Sequence, residues 1–217
     1  MSEKLKVLLV DDHTVVRAGF RILLSTQDFI DEIMDVDRGE AACQNYNEFK
    51  PNVVVMDLSM PGIGGLETIR RLIQLDADAV VLVYSIHDEA IYVERALQAG
   101  ARGYVSKNSA AEVLAEAVAV VASGKRYVED GLLVDQENSA YNDEDKLREV
   151  VDVLSPREFD VFCLLAKGMT AREAATDLCL GYKTVANYST QIKNKLNAST
   201  AADLARIAMT LGIIKSH

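Results

Sequence analysis

Short apolar runs alternate along the first part of the chain with segments whose apolar residues recur every three to four positions. The runs fall at residues 6–10 (KVLLV), 33–36, 53–56 (VVVM), 79–84 and 103–105. Such runs, rich in valine and isoleucine, predict strands buried on both faces. Between them, Val15, Val16, Phe20, Leu23 and Leu24 follow a helical period. Further helices are expected at 41–49, stopped by Pro51, at 66–75, at 89–99, closed by Gly100, and at 110–122, closed by Gly124. Five strands alternating with five helices predict a parallel, doubly wound α/β sheet in a (βα)5 arrangement, with strand order 2-1-3-4-5.

From about residue 129 to 149 the pattern dissolves into Asp, Glu, Asn, Gln and Ser, which predicts a linker. Helical signals then return. Ser155-Pro156-Arg157-Glu158 is a capping box with proline at the first helical position, and Leu154 and Phe159 stand where a hydrophobic staple needs them. Thr170-Ala171-Arg172-Glu173 is a second box, opening a short helix to about Leu178. A tight turn around Gly181 leads to a third helix over 183–196, and a fourth spans about 201–211. The expected organisation is an α/β domain over 1–128, a linker over 129–149 and an all-α, four-helix domain of helix-turn-helix type over 150–217.

Charge separates these parts. Residues 1–147 hold 14 Lys+Arg and 26 Asp+Glu, a net −12, whereas residues 148–217 hold 9 and 7, a net +2. Only the second part is suited to phosphate. No apolar run approaches the roughly 20 residues that span a bilayer, and the N-terminal apolar stretch turns acidic too soon for a signal peptide. Cys43, Cys163 and Cys179 have no metal-ligand spacing and read as buried thiols in a reducing, cytoplasmic compartment, with Cys163 and Cys179 at core positions.

The candidate chemistry lies at strand ends. Asp11 and Asp12 close the first strand and Asp57 the third, neighbours across the switch point of the expected sheet. Three converging carboxylates call for a hard cation, and Mg2+ fits because it binds few carboxylates and coordinates phosphoryl oxygens. Ser85 and Lys107 end two further strands and supply a hydroxyl and a cation. Together these are the parts of phosphoryl transfer to a carboxylate. In the third C-terminal helix Val185, Tyr188 or Ser189, Ile192 and Leu196 share an inward face. Lys183, Asn187, Thr190 and Asn194 share another, able to reach base edges in double-stranded DNA.

At these residues a resemblance becomes specific. Residues 5 to about 127 resemble a response-regulator receiver domain, through Asp11-Asp12, the run Met56-Asp57-Leu58-Ser59-Met60-Pro61-Gly62, Ser85 and Lys107. Residues 154–214 resemble a LuxR-type helix-turn-helix, through Leu154-Ser155-Pro156-Arg157-Glu158, Ala166-Lys167-Gly168-Met169-Thr170, Lys183-Thr184-Val185 and Lys195-Leu196. The whole chain is similar to the NarL/FixJ class of response regulators. The resemblance implies Asp57 as phosphoacceptor from a sensor histidine kinase. It implies Mg2+ held by Asp11, Asp12, Asp57 and the Ser59 carbonyl, Ser85 as phosphoryl ligand and switch, and Tyr104 as the aromatic switch residue. In the helix-turn-helix it implies Ala186, Asn187 and Thr190 at the bases, and Lys183, Thr184 and Lys195 at the backbone.

It also implies a homodimer whose DNA binding follows phosphorylation. Four positions depart from the family pattern: Asn108, where many receivers have proline, Gly181 and Tyr182, where the family often has a small hydroxyl and a charged residue, and Ala186, where it often has Lys or Asn. His13 is assigned to local packing. The rival reading is an aspartate-based phosphohydrolase, a true enzyme, but the second acid such chemistry places two residues after the nucleophile is here Ser59. A third is a receiver controlled by a non-phosphate ligand or a protein partner. A transcription regulator, not an enzyme, is the reading the motifs favour.

Overall fold

The computed structural model describes residues 4–132 and 152–214, in two compact units that are taken separately. The first unit contains β1 (Leu5–Val10), α1 (Thr14–Ser25), β2 (Ile30–Val36), α2 (Gly39–Phe49), β3 (Val53–Met56), α3 (Gly65–Leu75), β4 (Val81–Ser85), α4 (Ala90–Gln98), β5 (Gly103–Ser106), α5 (Ala111–Ala122) and β6 (Tyr127–Val128). The sheet order is β2-β1-β3-β4-β5-β6, and among the described residues every pair of neighbouring strands runs parallel. The expected order therefore stands, and the expected five strands become six. Two residues are too short a run to read as a strand in the sequence, and β6 exists because it pairs with Gly103 and Tyr104 of β5.

The β3 and β4 residues are buried throughout, as continuous apolar runs demand. Val7, Leu9, Val53, Val55, Leu82 and Val105 form one side of a core closed by Leu114, Val118 and Val121 of α5. Helix α1 buries little of its apolar face. Of its apolar residues only Leu24 is buried, and Val15 is 85% exposed. The expected linker also begins later than 129. The Glu129 N–H donates to the Tyr104 carbonyl at 3.1 Å, and its carboxylate accepts the Ser106 N–H at 2.9 Å and the Ser109 hydroxyl. Glu129 thus belongs to the sheet domain, while residues 133–149 of the expected linker lie outside the described residues.

The second unit contains α6 (Pro156–Ala166), α7 (Ala171–Asp177), α8 (Tyr182–Lys195) and α9 (Ala201–Thr210). Both expected capping boxes form, with Ser155 accepting from the Glu158 N–H and Thr170 from the Glu173 N–H. Leu154 and Phe159 are both buried, consistent with the staple. A third box, Thr200 with Asp203, opens α9; aspartate in place of glutamate hid it from the pattern. The turn before α8 does not pivot on Gly181, which has ordinary φ −70° as the N-cap. Cys179 supplies the left-handed residue, at φ +52°, and is exposed. The expected core thiol is therefore Cys163 alone; Cys43 is half-buried.

Candidate functional site

Parallel pairing brings the strand ends level. The backbone ladder continues past the strands, with the Asp57 N–H donating to the Val10 carbonyl at 2.9 Å and the Lys107 N–H to the Ser85 carbonyl at 2.7 Å. Asp11, Asp57, Ser85 and Lys107 are thereby set along one edge of the sheet by register alone. The loop after β3 can turn sharply because Gly65 packs against it. A Cβ at Gly65 would stand 2.2 Å from the Asp57 carbonyl oxygen and 2.5 Å from the Leu58 Cα.

At this edge Lys107 Nζ donates to Asp11 Oδ2 at 2.6 Å and to Asp57 Oδ2 at 2.7 Å. Asp57 is 2% exposed, and the Lys107 side chain 10%. Burial pushes the Asp57 carboxyl above the ordinary aspartate range against the pull of Lys107, and the Asp11 carboxylate adds to the rise. Burial also opposes the Lys107 ammonium, but the two carboxylates outweigh it and hold its pKa above the ordinary lysine value. A fixed cation thus balances two of the acids while the remaining oxygens stay close together. One ligand atom from each of Asp11, Asp12, His13 and Asp57 lies within 4.8 Å of the others. The Asp12 Oδ1 is buried without a hydrogen bond, 3.0 Å from His13 Nδ1. Hard carboxylate oxygens, one of them unsatisfied, suit a divalent cation of the magnesium type.

His13, expected in local packing, stands at the surface instead. It is largely exposed, and its Nδ1 stands 3.2 Å from Asp11 and 3.0 Å from Asp12. Ser59 donates its N–H to Asp57 Oδ1 at 3.2 Å. Ser85 and Tyr104 are both fully buried. The Ser85 Oγ accepts the His87 N–H at 3.3 Å, and the Tyr104 hydroxyl donates to the His87 carbonyl at 2.6 Å. The His87 Nε2 also lies 2.8 Å from the Ser59 Oγ, and the ring stacks on Tyr92 at 4.0 Å. Sequence reasoning missed His87, because a histidine after a strand end carries no pattern until the fold brings Ser59 beside it.

In the second unit, Val185 and Ile192 of α8 and Leu196 at its C-cap are buried, and Lys183, Asn187, Thr190 and Asn194 are exposed, as the periodicity predicts; Tyr188 and Ser189 are only half-buried, and Thr184 is exposed. Ala186 is half-buried. The Thr190 hydroxyl donates to the Ala186 carbonyl at 3.1 Å, and the residue is exposed. Lys195 is held differently from the expected backbone contact. Its ammonium donates to the buried Glu158 carboxylate at 2.6 Å and to the Val153 carbonyl at 3.2 Å.

Comparison with known proteins agrees with both units. Residues 7–119 match the response regulator receiver domain, and residues 152–208 match the bacterial regulatory proteins of the luxR family. The transcriptional activator protein ExaE of Pseudomonas putida is 38% identical over 209 residues, covering 96% of this chain and 98% of its own. The response regulator UvrY of Escherichia coli K12 is 34% identical over 213 residues, covering 98% and 97%. RcsB from Salmonella enterica serovar Typhimurium, solved bound to promoter rprA in the presence of the phosphomimetic BeF3-, shares the fold. Its TM-score is 0.62 over 99% of this chain and 100% of that one, at 21% identity. With both domains matched and relatives similar end to end, the chain belongs to the NarL/FixJ class of two-component response regulators, DNA-binding transcription regulators controlled by receiver phosphorylation.

Proposed function

We propose that Asp57 is the phosphoacceptor and that the charge it gains is read by Ser85, Lys107 and Tyr104. The donor is the phosphohistidine of a sensor histidine kinase. The observation that carries this reading is the Lys107 ammonium bridging Asp57 and Asp11 at 2.7 and 2.6 Å. A cation so placed meets an equatorial phosphoryl oxygen with little movement. Asp11, Asp12, Asp57 and the Ser59 carbonyl would hold Mg2+, which when bound neutralises charge on the phosphoryl oxygens. Asp57 attacks phosphorus as the carboxylate while the P–N bond to the donor imidazole breaks; that nitrogen leaves with the electron pair and takes up a proton, and burial among fixed groups holds Asp57 in line.

Ser85 then donates its hydroxyl proton to a phosphoryl oxygen, moving away from the position in which its Oγ accepts the His87 N–H. Tyr104 and Ser85 both contact the main chain of His87, which supports their moving together as a two-state element. The C-terminal unit binds double-stranded DNA through α8, with Ala186, Asn187 and Thr190 at the base edges and Lys183 and Thr184 at phosphates. Lys195 serves the backbone only by sharing its ammonium with Glu158. The active form is a homodimer matched to paired half-sites, working in the cytoplasm; among the described residues no helix is long and apolar enough to cross a membrane.

The test is phosphorylation by acetyl phosphate with Mg2+. The parent gains one phosphoryl group, and Asp57→Asn gains none. Equal incorporation by the variant would remove Asp57 from the role.

A further inference from the structure

We propose that Arg172 and Tyr182 form a paired grip on the DNA sugar-phosphate backbone, at the entrance to the groove occupied by α8. This inference rests on the reading of α8 as the helix that reaches base edges. Tyr182 is the first residue of α8 and is 55% exposed, so its ring is available at the surface. The Arg172 guanidinium, from α7, lies over its ring at 5.9 Å from the centroid. The contact therefore joins the two helices of the helix-turn-helix at one end, where the first helix crosses the backbone and the second presents its N-terminal residues.

Arg172 is not placed there to stabilise α7. It is the second residue of that helix, where a cation opposes the helix dipole. Nor is it neutralised. The adjacent Glu173 carboxylate is committed to the Thr170 N–H at 2.7 Å, and among the described residues Arg172 has no acidic partner. A guanidinium that sits over a ring, 5.9 Å from its centroid, and has no acidic partner among the described residues keeps its N–H edge available. That edge matches two phosphate oxygens, and the ring removes part of the side-chain freedom that binding would otherwise cost. Gly181, the N-cap, leaves this approach open because it carries no side chain.

The full-length chain, treated with acetyl phosphate and Mg2+, is titrated against a mixed-sequence duplex and against its strongest genomic site over a range of salt. Arg172→Ala weakens binding to both duplexes by about 3- to 10-fold and lowers the slope of log affinity against log salt by about 1. Arg172→Lys keeps the parental slope, since it keeps the charge, and loses part of the affinity. Tyr182→Phe behaves as the parent, and Tyr182→Ala loses affinity on both duplexes. A parental salt slope in Arg172→Ala overturns the grip, as does a loss confined to the specific site. Asn187→Ala separates this from the reading beneath it. If that variant discriminates between the duplexes as well as the parent does, the base-reading face of α8 is wrong, and the grip falls with it.

Discussion

Glu158 shows how one residue can serve two scales. It is the third residue of α6, where its carboxylate accepts the Ser155 N–H at 2.7 Å and completes the capping box. The same carboxylate accepts Lys195 from the far end of α8 at 2.6 Å, so the cap is also a tie between helices. Burial raises its pKa, but Lys195 and the Ser155 hydrogen bonds outweigh this and hold it below the ordinary glutamate value. A folded pKa below the unfolded one, about 4.3, means the carboxylate contributes stability in full above that value and loses it as pH falls through the folded pKa. Glu158→Gln should therefore destabilise the C-terminal unit by about 1–2 kcal/mol at pH 7, since Lys195 is partly exposed. The gap to the parent should begin to narrow as pH falls below about 4.3 and disappear once the pH lies under the folded pKa. Urea unfolding over a pH series measures it, and a gap that does not change with pH would contradict the charge's part. The capping half of this arrangement was legible in the spacing Ser155 to Glu158. The tie to Lys195 was not, because 37 residues separate the partners and only packing brings α6 and α8 together.

Among the elements, the strands and helices that set Asp11, Asp57, Ser85 and Lys107 were legible from periodicity, because buried parallel strands admit only apolar runs. The short pieces were not. β6 and Glu129 have polar neighbours and no period, and they are ordered by β5 rather than by their own sequence. Cys179 escaped for a similar reason. Its left-handed backbone comes from the turn between α7 and α8, and glycine at 181 drew attention to the wrong position. The clasp around Glu129 makes a specific claim about where the first domain ends. A receiver cut after Val128, the boundary read from sequence, should be less stable by about 1–3 kcal/mol than one cut after Leu132. The shorter piece loses two carboxylate hydrogen bonds and two from the main chain, Glu129 N–H to Tyr104 and Leu132 N–H to Glu129. Denaturant midpoints of the two fragments decide it; identical midpoints would make the clasp energetically idle.

Over the whole molecule the sequence carries an electrostatic opposition, net −12 over residues 1–147 against +2 over 148–217. The part that meets DNA is tethered to one that DNA repels. Removing residues 1–132 should raise affinity for mixed-sequence DNA, most of all at low salt, and the gain should fade as the screening length drops to about 8 Å near physiological ionic strength. A gain independent of salt would point to steric restraint in place of charge. The sheet itself has a further consequence. Its last strand, β6, is only two residues long, yet it covers part of the outer flank of β5. Open strand flanks are templates on which one polypeptide recruits another into insoluble fibrils. By folding its own exit back along that flank, the chain caps a surface that would otherwise nucleate such growth.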